Sequence, residues 1–310
     1  MALRNINYFG EATNRTQVRE NVIWMLNEAF LSAGGYYNIS SGTLGYDDED
    51  LSELTPSYQP EHSNFQFWKG MSHKWVWESG LNPTYTGGVD PIAVSGIYVS
   101  GLFYPSGDGG QYDHYVDYNR GGVVFTNPMP SGLNVFCNRS ERAAFIYPSE
   151  SNEFRRILTE QLRVFDEVPG SGMDTLSPEL SSYMPSIFVK IEHNKTSPYE
   201  LGSASKFIDF KIIMDVFSED LQQLDFLRDA CLSLEGQPMK TFNVNEVSSN
   251  NKFPLDYKGR LRGEAQTRSQ LLSSYSWKTG KFLENAQEVK MPDILPVMRS
   301  RVIIDFQIIG

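Results

Sequence analysis

The side chains of this sequence that could do chemistry fall into three groups: four histidines, a short acidic run, and carboxylates set among aromatic residues. Acid–base and metal sites draw heavily on imidazole. Here His62, His73, His114 and His193 are scattered through dissimilar segments, and none stands at a ligand spacing from Cys137 or Cys231. They read as surface or satisfied, partly buried imidazoles. The run Asp47, Asp48, Glu49, Asp50 offers hard oxygen ligands but lacks the regular spacing and turn glycine of a calcium loop, so it reads as a solvated connection. Asp113, Asp117 and Glu141 lie in an aromatic block, where two carboxylates at the right separation would serve a glycoside hydrolase as acid and base. The aromatic residues beside them, Trp68, Trp75, Trp77, Tyr112, Tyr115 and Tyr118, would stack on sugars, pack on another protein, or pair across strands in a core. Phosphate-loop, dinucleotide, zinc-protease, nucleophile-elbow and EF-hand patterns do not occur. No catalytic, cofactor-binding or metal-ligating residue is therefore assigned, and the reading is of a protein that is not an enzyme.

The one basic stretch, Lys258, Arg260, Arg262 and Arg268, stands outside the periodic segments and reads as an arm or long hairpin. In a chain of formal charge −11 such an arm either lies in solvent or docks on the acidic surface of a neighbouring copy, where opposite charge fixes register. These four residues are the candidate subunit interface. The acidic balance argues against a nucleic-acid-binding surface, because affinity for phosphates comes mainly from Lys and Arg. Without an apolar leader or an apolar run of about 18 residues, the expectation is a soluble protein made in the cytoplasm, where two distant cysteines stay reduced. The Asn-x-Ser/Thr triplets at Asn14, Asn38, Asn138 and Asn194 carry little weight in that setting.

These residues need elements to hold them. Val18, Val22, Met25, Leu26, Ala29 and Phe30 recur at the helical period over 16–33, with Thr16 as N-cap and Gly34-Gly35 as the stop. Residues 36–60 read as a long flexible surface connection. From 65 to 147, short aromatic and β-branched runs alternate with Gly, Pro, Asn and Asp, predicting antiparallel strands at 92–99, 101–104, 112–118, 122–126, 133–138 and 142–147. Phe154, Ile157, Leu158, Leu162 and Phe165 predict a helix, with a strand left open by the many β-compatible residues, and 168–184 a loop. The alternating runs 187–192 and 208–216 predict two half-buried strands. A helix capped by Ser218 and stopped by Gly236 and Pro238 follows, and 301–308 predicts a terminal strand. The fold class is α+β: a mixed antiparallel sheet flanked by helices, formed by 1–60 and 150–310, with an inserted all-β barrel or sandwich at 62–148.

Two stretches resemble neck and tail-terminator proteins of tailed bacteriophages. Arg19-Glu20-Asn21-Val22-Ile23-Trp24-Met25-Leu26 through Leu31 is similar to the helix those proteins carry ahead of their sheet. Pro185-Ser186-Ile187-Phe188-Val189-Lys190, then Pro198-Tyr199-Glu200-Leu201-Gly202, the strand 207–217 and the helix 219–234 resemble their strand, long hairpin, strand and helix core. Val94 to Tyr104 with Tyr115 to Tyr118 looks like small decoration domains of virion proteins. The resemblance covers under half of the chain, and the inserted β block has no counterpart in a minimal terminator. It implies a structural virion protein forming or joining a homo-oligomeric ring, commonly six-fold, between portal and tail or at the tail's upper end. Its partners would be copies of itself and neighbouring neck, tail-tube or sheath proteins, with no membrane. DNA would pass through the lumen without sequence recognition, and an acidic channel would let it slide. Two rivals stay open: a glycan- or receptor-binding β module of a virion, and a hydrolase built on a carboxylate pair.

Overall fold

The computed structural model describes residues 6–45, 48–78, 90–166, 183–198, 206–249, 255–256, 258–261, 268–291 and 297–309. The architecture is α+β. The chain divides into two compact units, one of residues 1–28, 144–247 and 268–310, the other of 29–143 and 248–267. Residues 29–60 and the segment 248–267 thus cluster with the β-rich block and not with the body expected from the sequence. The expected strand at 142–147 is two strands, one in each unit.

The first unit is built on a sheet whose strand order is β10 (Phe145–Pro148), β11 (Ser186–Pro198), β12 (Lys206–Ser218), β16 (Met298–Ile309), β14 (Ser276–Phe282) and β13 (Pro238–Phe242), with β15 (Gln287–Lys290) also on β16. β10 runs parallel to β11 and the other pairs are antiparallel. Residues opposite one another share a sheet face, so register sorts the side chains. Ile187, Val189 and Ile191 stand across from Val216, Met214 and Ile212; Met214, Ile212, Phe210 and Ile208 stand across from Val302, Ile304, Phe306 and Ile308. All are buried, and at roughly 1.5–3 kcal/mol for each large apolar side chain this face is the main source of the unit's stability. A one-residue slip would turn it to solvent. The opposite face carries Lys190, Glu192, Asp209, Lys211, Asp305 and Gln307, open in part to solvent, with Lys190 paired to Glu192 and Gln307 Nε2 donating to Asp209 at 2.7 Å. At one end of that face Phe188 and Phe217 pack with Phe154 and Ile157 of α2 (Asn152–Asp166).

Two helix ends differ from the sequence reading. α1 spans Ile6–Ser32 and runs straight through Thr16. Neither Thr16 nor Gly10 costs a helix interior more than about 1 kcal/mol against alanine, so continued backbone bonding outweighs the cap. Its C-terminus closes as expected: Gly34 adopts φ 84°, Gly35 N–H donates to the Phe30 carbonyl at 2.8 Å and Gly34 N–H to Leu31 at 3.0 Å. α3 (Leu221–Leu232) is capped by Asp220, whose side chain accepts from Gln223 N at 2.9 Å; Ser218 accepts instead from Asp220 N. α3 packs on β12 and β16 through Leu224, Leu227 and Cys231.

The free edge of β13 is closed by side chains. Asn21 of α1, fully buried, donates Nδ2 to the Phe242 carbonyl at 3.0 Å and accepts the Phe242 N–H at 3.1 Å, imitating one rung of a further strand. Gln17, one turn earlier, accepts Val244 N–H at 2.5 Å and donates to Asn243 at 3.0 Å. Arg268, first residue of α4 (Arg268–Ser274), donates to the Lys240 carbonyl at 2.5 Å. The apolar-period reading of α1 passed over Gln17 and Asn21, yet they lie on its buried face beside Val18 and Val22, whereas Ala29 is exposed.

The second unit is a curled sheet of short strands in the order β5 (Leu102–Pro105), β4 (Gly96–Val99), β8 (Val135–Phe136), β2 (Glu53–Pro56), β3 (Phe67–Lys69), β7 (Gly122–Phe125) and β6 (His114–Asp117), plus a two-stranded ribbon of β1 (Tyr36–Ile39) and β9 (Arg139–Arg142). The stretch 36–60 is thus not a plain connection. Its four-residue strands are too short to show a period of two, and Asp50 folds the turn between them by accepting from Gly42 N, Ser52 N and Ser52 Oγ. Leu54, Trp68, Trp75, Ile97, Val99, Val123, Phe125 and Val135 are among the residues filling the interior.

Asn21→Leu should strand the buried N–H and C=O of Phe242, each costing about 1–3 kcal/mol. Urea unfolding of the variant should show a loss of at least about 2 kcal/mol from this, and an unchanged midpoint would show that the edge needs no cap.

Candidate functional site

The basic stretch nominated by sequence does not form one arm. Lys258 and Arg260 belong to the second unit, Arg268 to the first, and Arg262 lies outside the described residues. Leu255 and Leu261 form a bridge and pack against the interior of the second unit, so residues 255–256 and 258–261 are a strap folded back onto their own β-sheet. Between them Asp256 binds the turn: its carboxylate accepts from Lys258 N at 2.8 Å, Arg260 N at 3.0 Å and Arg260 Nε at 2.8 Å. Burial raises the Asp256 carboxyl, but these bonds together outweigh it and hold the group below its ordinary range. The Arg260 guanidinium lies 5.0 Å from the Tyr115 ring centroid on β6.

The strap is seated on β6 by a glycine that sequence reading passed over. Gly259 accepts the Tyr118 N–H at 3.0 Å with φ 77°, and a Cβ there would come 2.3 Å from Asp117 Oδ1. Asp117 itself is buried. It accepts from Asn119 N, Arg120 N and Arg120 Nη1, and Arg120 also pairs with Glu61. Burial outweighs these bonds and raises the Asp117 carboxyl above its ordinary value. Only the combination Asp117-x-Asn119-Arg120-Gly121 hinted at this turn.

A second polar group lies inside the same unit. Arg139, with no exposed surface, donates Nε to Glu141 at 2.8 Å, Nη2 to the Leu51 carbonyl at 2.8 Å and Nη1 to the Cys137 carbonyl at 3.3 Å, and its guanidinium stands 5.0 Å from the Trp75 ring centroid. Gly70 makes room for it, since a Cβ there would come 2.8 Å from Arg139 Nη2. Burial raises the Glu141 carboxyl, and Arg139 opposes that shift. Arg142 bonds the buried Glu78 at 2.5 Å. In the first unit Asp215 takes both Arg299 and Arg301 at 2.8 Å, with Arg299 over Phe217. Each of these buried carboxylates is committed to a guanidinium.

The other nominated residues are placed as follows. Trp68, Trp75 and Tyr118 are buried, Trp77 and Tyr112 pack against the interior, and Tyr115 lies beneath Arg260. Asp113 accepts from Thr126 Oγ1 at 2.7 Å and Gly109 N at 3.2 Å, which lowers its carboxyl. His62 stacks on Phe67, and His193 has no described side chain. Burial pushes His73 down to about 4 and also lowers His114, whose Nδ1 contacts the Tyr112 carbonyl at 2.8 Å. Of the acidic run, Asp47 lies outside the described residues and Asp50 serves the turn already described. Among the described residues no group of three or more His, Cys, Asp or Glu could hold a metal ion, and no helix is long and apolar enough to cross a membrane. The buried Cys137 and Cys231 thiols are pushed up to about 12.

Comparison with protein-family models, with curated proteins and with solved structures found no match.

Two outcomes follow. Arg139→Gln leaves Glu141 buried without its cation and should cost about 3–5 kcal/mol in urea unfolding. Arg139→Gln with Glu141→Gln should recover part of that loss; strict additivity would show that the two side chains do not interact. Below pH 6.5 the unfolded chain binds protons that folded His73 and His114 resist, so stability is full above that pH and falls as pH drops toward about 4. Thermal midpoints between pH 7.5 and 5 should fall, and His73→Gln should flatten the decline; an equal decline in that variant would place the cause elsewhere.

Proposed function

We propose that this chain is a structural subunit, not an enzyme, which forms or joins a homo-oligomeric ring at the neck or upper tail of a tailed bacteriophage. The observation that carries the reading is the long β11–β12 hairpin followed directly by α3 packed on β12 and β16. That is the strand, hairpin, strand and helix order which the resemblance of 185–234 to tail-terminator proteins implies. The ring is taken as six-fold by the same resemblance, with neighbouring neck, tail-tube or sheath proteins above and below.

Charge supports the same reading. A chain of net charge −11 lining a channel repels phosphate and lets a duplex slide without being held. The disposition of the buried carboxylates supports a structural role too, because Asp117, Glu141, Glu78 and Asp215 each bond an arginine that neutralises them in place. A hydrolase built on Asp117 and Glu141 would need to release those cations. A glycan-binding β module would need exposed rings, whereas Trp68, Trp75 and Tyr118 are spent on the interior of the second unit.

The test is negative-stain microscopy and mass photometry of the purified chain, alone and mixed with the products of its neighbouring genes. Closed rings, or docking into a ring formed by those partners, is the expected result. A monomer under all these conditions that turns over a small substrate would overturn the proposal.

A further inference from the structure

The sheet of the second unit begins with β5 and ends with β6, and one residue ties those two ends together. The carbonyl of His114, first residue of β6, accepts the Gly107 N–H at 3.0 Å and the Ser106 hydroxyl at 3.0 Å, and both donors follow β5 directly. Tyr104 of β5 meets Tyr112 edge-on, ring centroids 4.7 Å apart, and both rings pack against the interior of the unit. Neighbours elsewhere in the strand order share a backbone ladder. Across this seam stand, among the described residues, one amide bond, one hydroxyl bond and the ring contact.

The side chain of the same residue is buried, with 1% of the residue exposed. Its Nδ1 lies 2.8 Å from the Tyr112 carbonyl, which can only accept, so Nδ1 carries the proton and Nε2 a lone pair. Nε2 is buried and has no protein partner among the described residues. A lone pair is the cheaper thing to leave there, because a proton at Nε2 adds both a second N–H and a full charge to the interior. Across the register stands β7, which offers the Phe125 ring at 5.7 Å between centroids and then Thr126, neither of them charged. The charged groups acting on the imidazole are Asp113, beside it in the chain, and Asp108 in the loop before it. Their carboxylates are engaged, Asp113 with Thr126 Oγ1 and the Gly109 N–H, Asp108 with the Gly110 N–H at 2.8 Å. Burial prevails over their attraction and holds the imidazole below its ordinary value.

We propose that His114 is an acid-sensitive latch: a proton at Nε2 turns the imidazole out to water, draws its carbonyl away from Gly107 and Ser106, and opens the seam between β5 and β6 while the rest of the second unit stays folded. Ring and carbonyl belong to one residue at the very start of β6, so the ring cannot reach water without moving the peptide that holds the seam. The loop before it supplies slack, since Gly107 and Gly109 sit at φ 73° and 70°, with Gly110 beside them. The sign follows from linkage: the open form, with its imidazole near 6.5, takes up the proton that the closed form resists, so the seam is shut above that pH and loosens as pH falls below it. His73, the other buried imidazole, stands against Gly121 at the opposite end of the β6–β7 hairpin and has no part in the seam.

Amide exchange of the full chain, expressed as protection relative to an open chain at each pH, reads the latch. Between pH 7.5 and pH 5 the Gly107 amide should lose at least about tenfold in protection. The Cys137 amide, which donates to the Ser52 carbonyl at 2.9 Å in the same unit, should keep its own. His114→Phe retains the carbonyl and removes the titration, so the Gly107 loss should vanish, whereas His73→Gln should retain it; His114→Gln serves if the phenyl ring does not fold. Nitrogen NMR of the unaltered chain should show Nε2 unprotonated at pH 7.5. Gly107 protection that does not change, a loss shared by Cys137, an equal loss in a folded His114 variant, or a protonated Nε2 at pH 7.5 would overturn the proposal. The readings on the unaltered chain decide it even where neither His114 variant folds, and because they concern an isolated chain they stand apart from the ring proposal.

Discussion

A β-strand at the end of a sheet leaves every second residue with an N–H and a C=O that no strand satisfies, and how those groups are met organises this protein. In the first unit the requirement reaches into α1, which must place two amides, Gln17 and Asn21, among its apolar side chains so that β13 finds partners. In the second unit it draws residues 258–261 to the end of β6, where the Gly259 carbonyl accepts the N–H of Tyr118. A purely apolar α1 would bury as much surface and leave the edge groups of Phe242 without bonds, a net loss.

The buried ions follow the same logic on a smaller scale. Arg139 holds two backbone carbonyls and one carboxylate, so a short, irregular sheet is closed around a guanidinium where a longer one would use ladder bonds. Such a site tolerates little change, because each member is costly to leave alone. It also explains why charged residues inside the aromatic block resemble catalytic machinery in the sequence: residue type is shared between an acid–base pair and a structural ion pair, and only geometry separates them.

Much of the first unit was legible. The alternation in 187–192, 208–216 and 301–308 fixed which face is buried, because a period of two has one structural meaning once both flanks are long enough. The α+β class followed from the order of helical and strand periods, and the Gly34 and Gly236 stops were legible because few residues tolerate positive φ. The strands at 36–39 and 53–56 were not, being too short to carry a period. Asn21 and Gln17 were hidden because a helical pattern scores them as polar, while their partners are more than two hundred residues away. The basic stretch misled, since charge alone does not show that Arg260 folds onto Tyr115 and Arg268 onto the Lys240 carbonyl.

The closing of a sheet edge by side chains of the same chain makes a claim that backbone hydrogen exchange reads residue by residue. The Phe242 amide should be strongly protected in the unaltered chain and should exchange at nearly the rate of an open chain in Asn21→Leu. A Phe242 amide exchanging freely in the unaltered chain, or one equally protected in Asn21→Leu, would contradict the account.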